Sequence, residues 1–336
     1  ILPEPMNHVF FTNSGSESVD TAMKIALAYH RARGDGQRTR FVSRERAYHG
    51  VNMGGLSLSG MVKNRETFNL TLPNISMIRH TWTEEQRFTN GQPQTGAELA
   101  EDLQRVCESY GGSTIAAVFI EPVAGSTGTL VPPVGYLDRV REICDQHGIL
   151  LIYDEVITGF GRCATAFGAD AFGVVPDMIN LAKGLTNGVI PMGAVVTREE
   201  IYQTFMEANL PEHMVELPHG YTYSAHPVAC AAALAALDVF EDDDMVGRAQ
   251  RLAPVLERTL HSLRGQPHIT DIRNFGMAGA LQIAPRDGDP LIRPFEIGVR
   301  CWELGLYVRW GGDTVQFGPA FTSEEQDIKS IASIVG

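Results

Sequence analysis

Asp154, Lys183 and the short run Ser14-Gly15-Ser16 are the residues whose types and spacing could do chemistry. Asp154 ends the run "LLIYDEV", where four apolar or aromatic residues read as a strand buried on both faces. An ionised carboxylate leaving such a strand is costly unless a cation or several donors meet it. Lys183, in "NLAKGLTNG", follows a second short apolar strand among small and glycine-rich neighbours. Desolvation there would lower its pKa and free the amine for Schiff-base chemistry. In "TNSGSES", Ser14 with Glu17 three residues on is a capping-box pattern. A helix start carrying Gly15 and the Ser16 hydroxyl offers unpaired N–H groups and a positive dipole end to an anion. Tyr48, in "ERAYHGVNMGG", lies between a strand and a glycine-rich loop, where its ring could serve as a stacking platform. Each feature has an ordinary alternative: plain capping, a solvated lysine, a core tyrosine. Their combination is more specific. Lys183 follows Asp154 by 29 residues, about one strand–helix unit, so both fall at carboxyl ends of strands and can face one crevice. A phosphate cradle, a Schiff-base lysine and a buried carboxylate together suit pyridoxal phosphate, with Asp154 as counter-charge to the pyridine nitrogen.

The elements that must position these residues alternate between strand and helix patterns, which predicts an α/β fold with a mostly parallel sheet. "IAAVFI" (115–120) and "ILLIYD" (149–154) are the clearest strands. Between them, apolar residues at 137, 140, 143 and 144 mark a helix closed by Gly148. "DMINLAKG" and "MGAVVT" are further short strands, and "HPVACAAALAALDVF" is a small-residue helix opened by Pro227. "TNGQPQTG" (89–96) reads as surface loop. Composition shifts after Phe240, which predicts a large domain at 1–240 and a smaller α+β domain at 241–336. The second would hold a helix near 246–263, strands "GALQIA" and "GLYVRW", and a terminal helix after "TSEE". The chain has 336 residues, is 44% hydrophobic and carries a net charge of −13 without a basic run, which argues against nucleic acid or an anionic membrane as partner. No stretch is long and apolar enough to span a bilayer. The five cysteines are scattered and never form CxxC, so free thiols in a reducing, cytoplasmic setting are expected rather than disulfides or a metal site. A start at Ile1 and a stop at "SIVG" suggest that residues are missing at both ends, so a targeting segment stays open.

"LLIYDEVITGFGR…PDMINLAKGLTNG", with "TNSGSES", "AYHG", "IEPVAG" and "YTYSAHP", resembles the class III aminotransferases of PLP fold type I over essentially the whole chain. The likeness is strongest to the branch that uses ω-amino acids such as β-alanine with pyruvate. The resemblance implies Lys183 as Schiff-base lysine and proton shuttle, and Asp154 as partner of the pyridine nitrogen. It implies Gly15 and Ser16 at the phosphate, Tyr48 and Val156 on the two ring faces, and Glu121 in support. Thr222 would reach the phosphate of a neighbouring subunit in a homodimer, with tetramers left open. Arg309 would receive the substrate carboxylate, and Gln316 would contact substrate. Ser126 stands where ornithine and γ-aminobutyrate transaminases carry a glutamate, and Ile157 where many relatives carry glutamine. Both departures point to the pyruvate-using branch; "AHP" in place of "NP" has no reading. A decarboxylating transaminase or an aminomutase remains an alternative within the family. More distant are an inactive PLP-fold protein and a dinucleotide oxidoreductase suggested by "GFGRCA".

Overall fold

The computed structural model describes residues 1–336 apart from 70 and 209. The chain opens with β1 (Met6–Thr12), α1 (Gly15–Ala32), β2 (Arg40–Arg44), α2 (Met53–Leu58), α3 (Val62–Phe68) and β3 (Ile75–Ile78). Then come α4 (Glu101–Tyr110), β4 (Ile115–Ile120), α5 (Tyr136–His147), β5 (Leu150–Asp154), α6 (Gly168–Phe172), β6 (Met178–Leu181), β7 (Gly193–Arg198) and α7 (Glu199–Met206). The last part runs α8 (Pro227–Asp242), α9 (Met245–His261), β8 (Ile269–Phe275), β9 (Ala278–Ile283), α10 (Ile292–Glu303), β10 (Arg309–Gly311), β11 (Thr314–Phe317) and α11 (Glu325–Val335).

Seven strands form one sheet in the order β1-β7-β6-β5-β4-β2-β3. Strand β7 runs antiparallel to both of its neighbours, and every other pairing is parallel. β4 and β5 are buried along their whole length, and alternate residues serve opposite faces. Val118, Ile120, Leu151 and Tyr153 join the core beneath α4 and α5, while Ala117, Phe119, Leu150 and Ile152 join the core beneath α1. The same period sends Asp154, and Glu121 just past β4, to the α1 side. Helix α5 buries Leu137, Val140, Ile143 and Cys144 and ends at Gly148, whose φ of 64° is the left-handed conformation of a helix cap.

Helix α8 begins at Pro227 and continues through Phe240 to Asp242. Asp243 and Asp244 then turn the chain, and the Asp244 side chain accepts the Gly247 N–H to start α9. A second sheet, β10-β11-β9-β8, is antiparallel throughout and shares its own core with α9, α10 and α11. Of "GLYVRW" only Arg309 and Trp310 enter a strand. Gly305 and Leu306 instead close α10, their N–H groups returning to Trp302 and Cys301. The 89–96 stretch is a loop, although Pro93 and Gly96 are buried rather than at the surface. "GFGRCA" lies in turns, and the next helix starts only at Gly168, so its glycines do not open a helix as a dinucleotide fingerprint must. No described helix is long and apolar enough to cross a membrane.

Phe119 ties fold to site, packing edge-on against Phe41 and against His49, each at 6.0 Å between ring centres. Phe119→Ala should cost about 3–5 kcal/mol in urea unfolding, the usual range for emptying a buried aromatic position. Phe119→Leu, which keeps most of the volume, should lose clearly less.

Candidate active site

Strand β5 delivers Asp154 to the rim of the sheet with only 6% of its surface exposed. A carboxylate can only accept, so His49 Nδ1 donates to Asp154 Oδ2 at 2.8 Å, and the Val156 N–H donates to Oδ1 at 3.2 Å. His49 is itself buried, with Nε2 facing Ser43 Oγ at 3.1 Å and its backbone N–H on Ser59 Oγ. The chain therefore supplies part of what offsets the charge on Asp154.

Lys183 sits just past β6, in a single tight turn, with a φ of 45°. That left-handed conformation is strained for a residue with a side chain, and such strain tends to persist where the surroundings impose it. Burial pushes the Lys183 amine below its ordinary pKa; Asp154 and Glu121 pull it up, and Arg309 pushes it further down. Glu121 is displaced in the opposite direction. Burial raises its carboxyl to about 7; His49 opposes the rise, Asp154 adds to it, and the Tyr48 N–H on Oε1 at 3.0 Å opposes it.

At the start of α1 the Ser14 hydroxyl accepts the Glu17 N–H at 3.2 Å. The Glu17 carboxylate reaches back to the N–H of Asn13 rather than that of Ser14, so the box is shifted by one residue. The N–H groups of Gly15 and Ser16 are left without a chain partner among the described residues, as first-turn groups are. Ser16 Oγ accepts the Val51 N–H, and the chain comes so close there that a Cβ on Gly50, at φ +97°, would lie 2.5 Å from that oxygen. Only glycine fits.

A cavity of about 150 Å³ is lined by Gly15, Ser16, Tyr48, His49, Gly50, Glu121, Asp154, Val156, Ile157, Ala182 and Lys183. A second cavity of about 290 Å³ adjoins it across Ile157 and is lined by Ser126, Arg162, Tyr307, Arg309 and Gln316, among others. Of the ten residues given a catalytic or binding role from the sequence, seven meet in the first cavity and two in the second. Arg309 is exposed on β10 and makes no ion pair among the described residues. Gln316 commits its amide nitrogen to the Ser126 carbonyl at 3.0 Å. Thr222 is brought to neither cavity. It is exposed on a loop pinned through Tyr221 to Glu17 and through Ser224 to Phe11.

The family model described as aminotransferase class-III matches residues 1–335. The chain belongs to that family. A β-alanine–pyruvate aminotransferase of Pseudomonas aeruginosa is 55% identical, over 100% of this chain and 75% of the relative. An ω-amino acid–pyruvate aminotransferase of Pseudomonas putida is 53% identical over the same shares. The crystal structure of an amine transaminase from an uncultivated Pseudomonas species, in its PLP-bound form, superposes with a TM-score of 0.91. It is 36% identical, over 98% of this chain and 76% of that one.

Pyridoxal phosphate is the cofactor of this class III aminotransferase, and the residues of the first cavity fit it. The free N–H pair at α1 suits a phosphate, Lys183 has no acid within ion-pair distance among the described residues, and Asp154 lines the same cavity. His49 was not singled out in the sequence, though it directly follows Tyr48 in "AYHG". A histidine beside a candidate stacking residue was the available signal.

Glu121 gives this site a testable pH signature. Its folded carboxyl holds a proton to higher pH than its ordinary value of 4.5, so its contribution to stability is full below about 4.5 and is lost as pH rises through about 7. Glu121→Gln removes the titration. Wild-type urea midpoints should therefore fall relative to the variant's across that window, and parallel curves would refute the displaced carboxyl.

Proposed function

We propose that the enzyme moves an amino group from an ω-amino acid such as β-alanine, or from a simple amine, to pyruvate. The products are alanine and an aldehyde, ketone or oxo acid. The observation that carries this reading is the pair of adjoining cavities. One holds Lys183 and Asp154, and the other presents the unpaired guanidinium of Arg309, across Ile157. The naming of two relatives more than half identical to this chain supports pyruvate as acceptor.

When bound, pyridoxal phosphate supplies an aldehyde carbon that takes up the donor nitrogen and a ring that accepts an electron pair. Gly15 and Ser16 would hold the phosphate, and Tyr48 and Val156 would flank the ring. Asp154, oriented by His49 and the Val156 N–H, would hold the proton of the ring nitrogen. Lys183, with its amine eased toward the neutral form, would remove the proton from the amine-bearing carbon of the donor and deliver it to the former aldehyde carbon of the cofactor, not back to the donor. In the second half-reaction Lys183 moves the proton in the reverse sense. Arg309 binds the pyruvate carboxylate, for which a planar fork is suited, and Gln316 stands beside it. Glu121 supports the site from the strand end through the Tyr48 backbone.

A second copy of the chain completes this reading. Val51, Met53, Val189, Tyr223 and Val228 are all exposed apolar residues on the segments that lead away from Tyr48, Lys183 and Thr222. A homodimer covering them would also give Thr222 a role at the partner's phosphate cradle. The five free cysteines, four of them buried, support a reducing, cytoplasmic setting.

A donor panel with pyruvate as acceptor tests the activity. β-Alanine or a longer ω-amino acid should yield stoichiometric alanine, and no alanine from any donor would end the proposal. Lys183→Ala should abolish turnover. Asp154→Asn should slow the donor half-reaction by roughly three powers of ten, each worth ~1.4 kcal/mol of barrier. Unchanged single-turnover rates in that variant would remove the charge argument. Arg309→Ala should raise the KM for pyruvate far more than that for an amine without a carboxylate.

A further inference from the structure

The hairpin at 124–130, closed by paired hydrogen bonds between Ala124 and Leu130, lies between the two sheets. Three successive carbonyls at its tip are each taken by a different long side chain. Gln316 Nε2 donates to Ser126 at 3.0 Å, Arg46 Nη2 to Thr127 at 3.3 Å, and Arg273 Nε to Gly128 at 2.7 Å. All three grips lead to the second sheet. Gln316 lies on β11 and Arg273 on β8, while Arg46 also pairs at 3.3 Å with Asp313, in the turn between β10 and β11. The β10–β11 ribbon carries Arg309. Gly125, Ser126 and Thr129 of the hairpin form one wall of the 290 Å³ cavity; Arg309, Gln316 and Tyr307 contribute to the other.

Arg273 is the most tightly held of the three. It is 5% exposed and pairs with the buried Asp271 and with Gln282 Oε1 at 2.7 Å. Asp271 is in turn held by Trp82 Nε1 at 2.8 Å and the Phe88 N–H at 2.6 Å. Arg273 lines neither cavity, yet it anchors the hairpin.

We propose that Arg273 is a positioning residue for the acceptor: by holding the Gly128 carbonyl it fixes the 124–130 hairpin against the β10–β11 ribbon, and so sets the width of the cavity that presents Arg309. This rests on the reading that the Arg309 cavity takes the carboxylate of the acceptor. Lys183 and Asp154 lie on the far side of Ile157, so a slackened hairpin shifts the acceptor and leaves the proton-transfer groups in place. Displacements near 1 Å are enough to matter, because misplacement on that scale costs up to roughly a hundredfold in rate.

The test compares the holoenzyme with Arg273→Lys, Arg46→Gln and Arg309→Ala. Arg273→Lys keeps the charge but loses the fork. It should raise the pyruvate KM roughly tenfold while the half-reaction with a monoamine stays within about twofold and the cofactor absorbance is unchanged. Hydrogen exchange of the 124–130 amides should quicken in the same variant, a readout independent of turnover. Arg46→Gln loosens a second grip, the one on the Thr127 carbonyl, at a residue that lines neither cavity, and should act in the same direction; it decides the matter if Arg273→Lys does not fold. An unchanged pyruvate KM, equal losses for pyruvate and monoamine, or unaltered exchange in the hairpin would overturn the proposal. If Arg309→Ala leaves the pyruvate KM alone, the reading of the cavity has failed. If Arg309→Ala raises it and Arg273→Lys does not, the clamp alone has failed.

Discussion

A carboxylate buried at the end of a core strand is the constraint on which the rest of this site depends. Asp154 would be several kcal/mol too costly there without donors. His49 and the Val156 N–H supply them, and each brings further structure with it. His49 needs Ser43 behind it and Phe119 beside it, so β2, β4 and β5 must register together. Desolvation displaces the neighbours in opposite senses, the Lys183 amine downward although that residue is itself exposed, and the buried Glu121 carboxyl up to about 7. Burial is the main cause of the Glu121 rise; the nearby Asp154 carboxylate adds to it, while His49 and the Tyr48 N–H oppose it. Two acids on adjacent strands thus meet different donors at similar burial.

Topology makes this convergence cheap. Parallel strands present their carboxyl ends on one edge, and the two-residue alternation sends Asp154 and Glu121 to the face covered by α1. The N-terminus of α1 meets that face with unpaired N–H groups. Strand β6 ends beside β5, so the next few residues carry Lys183 into the same cavity. No loop has to travel far, and the strain stored at Lys183 is held by a turn between two buried strands.

Much of this was legible in the sequence. An Asp after four buried residues, a Lys after a short strand and an SxxE helix start are local patterns whose physics does not depend on distant partners. What escaped reading involved partners far apart in sequence. His49 and Asp154 are separated by 105 positions, and nothing near "AYHG" announces the contact. Strand β1 escaped because only its first and last residues are fully buried, so its alternation is weak. The reversed direction of β7 carried a usable signal. Between Leu181 and Gly193 there is only one short turn of helix, whereas a parallel crossover needs a dozen or more residues and usually a full helix. The failure of "GLYVRW" as a strand has a local cause, since Gly305 is spent on ending α10.

The two arginines of the second sheet show how one residue type serves opposite ends. Arg273 is buried, paired with an acid and bonded to two further oxygens, an arrangement in which any movement would strand a charge in a dry interior. Such a group can hold a wall in place but cannot receive a ligand. Arg309 is exposed on an edge strand and makes no ion pair among the described residues, so leaving it unpaired costs little and it is open to an incoming carboxylate. A guanidinium that must accept a carboxylate in one half-reaction and stand aside for an amine in the other has to be of the second kind. Ser126 offers no negative charge to occupy Arg309, and its carbonyl is already bound by Gln316. The acceptor preference proposed for this enzyme therefore depends as much on the missing acid at position 126 as on the arginine itself.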